Sequence, residues 1–223
     1  MKGNSAMSYR AATYKGMTLF TEAGERKYLS AAERIRFLSA LSVLNCPRER
    51  TFCEMLYWTG CRPSEALALT ALNIDIDTGA VIVRSLKKRG KRKGCHFRPI
   101  PVPREFIARL AAAHDLRTVQ ACSDGGVHAC LWNFGRTTGW KHIRRVMQAG
   151  GITGARACAK GLRHAYGVHA ALASVPETRI KKWLGHASLE TTEIYLDMAA
   201  PEDRAMAERM WRNDETFAGV PTN

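Results

Sequence analysis

The stretch from Lys160 to Leu196, KGLRHAYGVHAALASVPETRIKKWLGHASLETTEIYL, decides how the rest of the chain is read. Its own punctuation divides it into three helical segments. Leu162–Ala173 is apolar enough to be a buried helix. Pro176, tolerated in a first helical turn, starts a second that runs to Leu184. Gly185 stops it, and Leu189–Leu196 reads as a short third helix. Five residues with chemistry sit in this frame. Arg163 opens the apolar helix, where a charge is costly unless it is paired. Lys160 stands three positions before it and His164 directly after. His186 follows the Gly185 stop, and Tyr195 lies nine residues beyond His186. Taken singly, each has an ordinary reading: Tyr195 as a core aromatic, His186 as a helix cap.

Working back towards the N-terminus, the next concentration of signal is cationic. Between Arg84 and Arg98 lie Lys87, Lys88, Arg89, Lys91, Arg92 and Lys93, and with the two flanking arginines they make eight cations with no acid among them. The whole chain has a net charge of +14 at pH 7, so most of the excess sits here. AVIV (Ala80–Val83) precedes this run and FRPIPVP (Phe97–Pro103) follows it, with Gly90 and Gly94 supplying turns. The pattern predicts a long β-hairpin with a cationic tip, within Ile74–Val102. A solvated loop is the bland alternative. A tip this dense suits a polyanion better, because neutralising phosphates releases counterions. Further upstream, TGCRPSE (Thr59–Glu65) places Arg62 at the turn between two helices, with Glu65 about one turn on.

The remaining segments are mostly helical. Ser30 as N-cap with Glu33 three residues later opens a helix over Leu29–Leu44, whose apolar positions are Ile35, Leu38, Leu41, Val43 and Leu44. Further helices are expected at Arg48–Tyr57, Ser64–Leu72, Arg104–His114 (Phe106, Ile107 and Leu110 inward) and Trp140–Ala149. A last amphipathic helix, Pro201–Arg212, carries Met206, Met210 and Trp211 on one side. Residues 115–135 are poorly patterned. The fold class is therefore mainly α with a small antiparallel β-sheet, α+β. Residues 1–27 read as an unpacked leader, with Met1–Ala6 a cloning remnant, and 28–223 as one compact domain.

Composition excludes several classes. The chain has 223 residues, 46% hydrophobic and 24% charged, which suits a folded globular protein. No apolar run approaches the roughly 20 residues that cross a bilayer, and the N-terminus lacks a secretory signal. The seven cysteines are odd in number and none forms a C-x-x-C pair, so they read as free thiols in a reducing cytosol. No G-x-x-x-x-G-K-[ST] phosphate loop is present.

In combination these elements are specific. Arg62, the lysine-rich hairpin, K-x-x-R-H, LGH and Tyr195 occur in the order shown by the catalytic domain of the tyrosine recombinases, the phage-integrase family, which the chain resembles from about Leu29 to Met198. The intervals also suit that family: 101 residues between the two arginines, 23 from Arg163 to His186 and nine to Tyr195. The resemblance implies a site-specific recombinase, of integrase or invertase type, that cuts and rejoins DNA without metal or cofactor. Tyr195 would attack a backbone phosphate to leave a 3′-phosphotyrosyl link. Arg62 and Arg163 would grip the nonbridging oxygens, His186 would hydrogen-bond the phosphate, and Glu65 would support the site. Lys88, which precedes the Arg89-Gly90 turn as the family's lysine precedes its own, would protonate the leaving 5′-oxygen, with Lys87 as the alternative. Lys87, Arg89, Lys91, Arg92, Lys93, Arg98 and His164 would contact DNA.

The chemistry has its own logic. A phenol with a reference pKa near 10 must lose its proton to a neighbour or be stabilised by cations. Planar guanidiniums grip phosphate bidentately and stay charged. The chain departs from the family at Lys160, where a His is usual, which suits phosphate contact better than general-base work. The catalytic domain is expected to begin near Leu29 without the separate N-terminal helical domain that usually clamps the DNA, either as a small family member or as a truncated piece. The expected partner is double-stranded DNA with paired recombination sites, bound as a homotetramer to which the 201–212 helix contributes by docking on a neighbour or else packs on its own domain. No membrane is involved, and the expected location is the cytoplasm, with the nucleoid. Two alternatives remain: a catalytically inert DNA-binding regulator on the same fold, and a type IB topoisomerase.

Overall fold

The computed structural model describes residues 18–85, 96–122, 125–186 and 189–196. The hairpin tip that carries Lys87, Lys88, Arg89, Lys91, Arg92 and Lys93, and the 201–212 segment, lie outside the described residues.

The chain enters through a strap. Phe20 and Arg26 form an antiparallel bridge, and Leu19, Tyr28 and Leu29 are buried. The sequence reading of an unpacked leader to residue 27 therefore fails from Thr18 onward, because buried Leu19 anchors the segment. Helix α1 (Ala31–Ser39) starts at the expected box: the Ser30 amide donates to Glu33 Oε2 at 2.8 Å and the Glu33 amide to Ser30 Oγ at 3.2 Å. It tightens into a 3₁₀ turn over Ala40–Val43. Of its expected inner positions Leu41 and Leu44 are buried and Leu38 and Val43 pack against the core, but one is not inward. Ile35 is 65% exposed, while Glu33, Arg34 and Phe37 point inward. The reason is polar: Arg156 Nε donates to Glu33 Oε1 at 2.7 Å, and the Arg34 guanidinium lies 4.1 Å from the centre of the Tyr57 ring.

Helix α2 (Pro47–Thr59) is the core of the molecule, with eight of its residues buried. It packs on α4 (Arg104–His114), α6 (Arg136–Ala149) and α7 (Ala159–Leu172). Between α2 and α4 come α3 (Pro63–Ala66), shorter than the expected Ser64–Leu72, and a three-stranded sheet. Strands β1 (Ile74–Asp75), β2 (Ala80–Arg84) and β3 (Phe97–Pro101) are antiparallel, in that order, with Ala80 opposite Pro101 and Val83 opposite Arg98. The hairpin expected from sequence is thus present up to its tip. The unpatterned 115–135 region contains α5 (Leu116–Ala121), which the sequence reading missed. Helix α8 (Glu177–Leu184) ends at Gly185 in the left-handed region, φ 65°, as the sequence predicts, and α9 (Glu190–Leu196) follows. Among the described residues no helix is long and apolar enough to cross a membrane.

Candidate active site

Helix ends organise the site. The last carbonyls of a helix have no partner within it and carry partial negative charge. Arg163, on the second turn of α7, takes two of them. Its Nη1 donates to Gly60 O, at the C-cap of α2, at 2.8 Å, and its Nη2 to Leu184 O, at the end of α8, at 2.6 Å. A guanidinium has five N–H donors, so capacity remains for a ligand. This is how an apolar helix tolerates the charge. Burial, and then the positive charge of Arg62, push Arg163 down to about 10, which still leaves it ionised at neutral pH. Gly60 is required twice over. Its φ of 60° favours glycine, and a Cβ there would come within 2.8 Å of the Tyr166 ring.

Arg62 caps α3 and is one-third exposed. Its backbone N–H donates to Glu65 Oε2 at 2.9 Å and its Nη1 to Glu65 Oε1 at 3.0 Å. Glu65 is enclosed and also accepts from Arg98 Nη2 at 2.6 Å. Burial alone would raise the Glu65 carboxyl. The Arg62 amide and the charges of Arg98 and Arg62 outweigh it, so the group titrates below its ordinary value. Arg98 also donates from Nε to Trp183 O and from Nη1 to Ser85 Oγ, both at 2.8 Å. Its expected role as a DNA contact is corrected here. Arg98 is 4% exposed and its guanidinium is spent on protein groups.

His186 and Tyr195 close the site from the other side. The two rings stack with centroids 6.0 Å apart and planes 20° from parallel. His186 Nδ1 lies 3.0 Å from Thr192 Oγ1, a hydroxyl on the first turn of α9. Burial, then Arg163 and Arg62, push His186 down to about 3, so it is neutral at physiological pH. Tyr195 is fully enclosed, and its hydroxyl lies 3.1 Å from His164 Nδ1. Its ring lies against Gly167, where a Cβ would approach the ring atoms to 2.7 Å. Burial raises the phenol to about 12, and the charges of Arg163 and Arg62 oppose that rise. His164, expected on the DNA surface, is 2% exposed and faces the phenol instead, which corrects that assignment. Lys160 is exposed on the first turn of α7. Beside Arg62 opens a groove of about 690 Å³, lined also by Ser64, Arg136, Thr137 and Trp140.

Arg62, Glu65, Arg163, His186 and Tyr195 are therefore brought together from three distant stretches of chain. Sequence reading missed Thr192, Gly60, Gly167 and the structural role of Arg98. For Arg98 the signal was available. It has the same strand parity as Ile100, whose side is buried, whereas Phe97 points out. For Thr192 and Gly167 no local signal exists, because their partners lie on other elements.

Known proteins resemble this chain in sequence and in fold. Residues 27–202 match the model of the Phage integrase family. Tyrosine recombinase XerC of Stutzerimonas stutzeri is 34% identical over 151 residues, 66% of this chain and 47% of the relative. Tyrosine recombinase XerA of Thermococcus kodakarensis is 26% identical over 190 residues, 82% of this chain and 62% of the relative. The chain thus spans about half the length of the XerC relatives it matches. Among solved structures, XerA recombinase superposes with a TM-score of 0.62 at 25% identity, covering 82% of this chain and 62% of that one. The catalytic domain of bacteriophage HP1 integrase shares the fold, with a TM-score of 0.56 at 18% identity, covering 81% of this chain and 93% of that domain. With a match across most of its length and the arginines, histidine and tyrosine converging as described, this chain belongs to the phage integrase family.

Proposed function

We propose that the protein is a site-specific recombinase that breaks and rejoins DNA through a 3′-phosphotyrosyl intermediate. The observation that carries the reading is the convergence of Tyr195 with Arg62, Arg163 and His186, residues drawn from separate parts of the chain. Tyr195 attacks phosphorus. Arg62 and the unspent donors of Arg163 hold the nonbridging oxygens as charge grows in the transition state, where preorganised donors contribute most. His186, neutral and held through Nδ1, presents its other nitrogen to the phosphate. Glu65 positions Arg62. Lys88, or Lys87, protonates the departing 5′-oxygen, and Lys160 contacts phosphate. The covalent link conserves bond energy, so neither metal nor nucleotide is needed. Because Tyr195 is enclosed, the side chains that cover the phenol must give way for a phosphate to reach it beside His164. Recombinases of the same fold have been solved with DNA: XerH bound to its difH substrate and the Tn1549 transposon integrase in complex with circular-intermediate DNA. That supports a double-stranded DNA partner here. Paired sites, a homotetramer on DNA, and residence in the cytoplasm with the nucleoid complete the proposal, with 28–223 acting as one catalytic domain.

The test uses labelled duplexes from the DNA flanking the gene. Wild-type protein forms a denaturant-resistant adduct, and Tyr195→Phe forms none. An adduct that survives in Tyr195→Phe refutes the assignment of the nucleophile. Duplex binding with no adduct on any fragment favours an inert DNA-binding regulator, a reading to which the Lys160 departure and the enclosed Tyr195 lend support.

A further inference from the structure

We infer that His164 is the proton acceptor for the nucleophile, taking over the general-base work that Lys160 is poorly equipped to do. The inference rests on the strand-transfer reading above. The phenol oxygen of Tyr195 lies 3.1 Å from His164 Nδ1, within direct proton-transfer reach, and both groups are buried. The other groups nearby are unsuited. Guanidiniums and ammonium groups donate and do not accept, which removes Arg62 and Arg163 near the phenol and Lys160 and Lys27 near His164. His186 has its Nδ1 engaged by Thr192 and meets Tyr195 face to face, so its in-plane lone pairs do not point at the hydroxyl.

The charge state of His164 leaves a lone pair free to accept. Burial, then Lys160, Arg163 and Lys27, push it down to about 3, so at neutral pH the ring is uncharged and has a lone pair to offer. Its Nε2 is buried without a hydrogen-bond partner among the described residues. Placing the proton on Nε2 leaves Nδ1 free to accept from the phenol. A phosphodiester at Arg163 offsets one of the cations that disfavour imidazolium, and phenolate character developing beside the ring favours its protonation. In the step itself, the Tyr195 proton passes to Nδ1 as the phenolic oxygen bonds to phosphorus. The bond from phosphorus to the 5′-oxygen breaks, and its electron pair leaves with that oxygen. In the reverse step the leaving phenolate takes the proton back.

Two measurements test this. The imidazole ¹⁵N spectrum of the full chain at neutral pH is expected to show His164 protonated at Nε2 and bare at Nδ1. The opposite tautomer overturns the inference, since Nδ1 would then donate. The second uses thymidine 3′-(p-nitrophenyl phosphate), which carries no sequence information and whose leaving group needs no acid. Wild type is expected to release a nitrophenolate burst and leave a nucleotide on Tyr195. His164→Asn keeps an acceptor oxygen near the place of Nδ1 but cannot take a proton. It is expected to slow the burst about 10²-fold at pH 7 and to recover about tenfold per pH unit as hydroxide replaces the base. A burst equal to wild type, or a loss that is the same at every pH, refutes the role. If wild type leaves no nucleotide on Tyr195, the strand-transfer reading itself falls. A Tyr195 adduct whose rate ignores His164 refutes this inference alone.

Discussion

Arg98→Met separates a structural arginine from a DNA-contacting one. The arginine is 4% exposed and donates to Glu65, Ser85 and the Trp183 carbonyl, at 2.6, 2.8 and 2.8 Å. Methionine replaces much of the volume but leaves the enclosed Glu65 carboxylate with Arg62 alone as its charged partner, together with the Arg62 amide. Breaking a buried ion pair from one side costs about 3–5 kcal/mol. The surviving Arg62 contacts place this case near the lower end, about 3 kcal/mol. At about 2–4 °C per kcal/mol for a chain of this size, the melting temperature falls by about 6–12 °C. The pH dependence follows. The Glu65 carboxyl titrates below its unfolded value, so its contribution is present above that value and lost as pH falls through the folded one. Without Arg98 the folded value rises, and the loss moves to higher pH. Urea unfolding between pH 7 and 3 measures both effects. Arg98→Met with Glu65→Leu should recover part of the stability, because the stranded charge is gone. Binding to a generic duplex supplies the second arm. A residue neutralising one phosphate changes the slope of log K against log salt by about 0.9, and Arg98→Met should leave that slope unchanged. A destabilisation under about 1 kcal/mol together with a reduced salt slope would refute the structural role.

Gly167→Ala raises helix propensity in α7 but puts a Cβ within 2.7 Å of the Tyr195 ring. The ring must leave its slot, so tetranitromethane should nitrate Tyr195 in the variant and spare it in wild type, as peptide mapping will show. Thr192→Val keeps the shape and removes the hydroxyl beside His186 Nδ1. Leaving a half-buried ring nitrogen unpartnered should cost about 1 kcal/mol in urea unfolding. His114, His164 and His186 are held down to about 4, 3 and 3, chiefly by burial, so they stay neutral in the fold while their unfolded counterparts protonate near 6.5. Their stabilising effect is complete above that value and drains as pH falls. Each contributes a slope approaching about 1.4 kcal/mol per pH unit. Urea midpoints at pH 7, 6 and 5 should show the fall, and His114→Gln should flatten it. An unchanged profile in that variant would remove His114 from the explanation.

Much of this was legible in the chain itself, because the signals involved are local. The Ser30–Glu33 capping box, the Gly185 stop, the Arg104–His114 helix and the β2–β3 pairing depend on spacings of a few residues, and all are present. The order and intervals of Arg62, Arg163, His186 and Tyr195 sufficed to nominate a phosphate-handling set. Tertiary contacts overruled local pattern elsewhere. Ile35 scored as inward on helical periodicity, yet Glu33 and Arg34 took that side because Arg156 and Tyr57, from other elements, pair with them. Arg98 and His164 are expected from sequence to contact DNA, yet both are enclosed.

What the amino-acid order alone determined is which groups are available and at what intervals: two arginines, a histidine, a tyrosine and a cationic hairpin on a mainly helical frame. The structure alone decided how those groups are used. Arg163 is bearable in an apolar helix because the carbonyl ends of α2 and α8 converge on it, and Tyr195 rests on His164 because Gly167 leaves room for its ring. The physical reason is that a buried charge or hydroxyl is governed by partners that are distant in sequence, and only folding makes them neighbours.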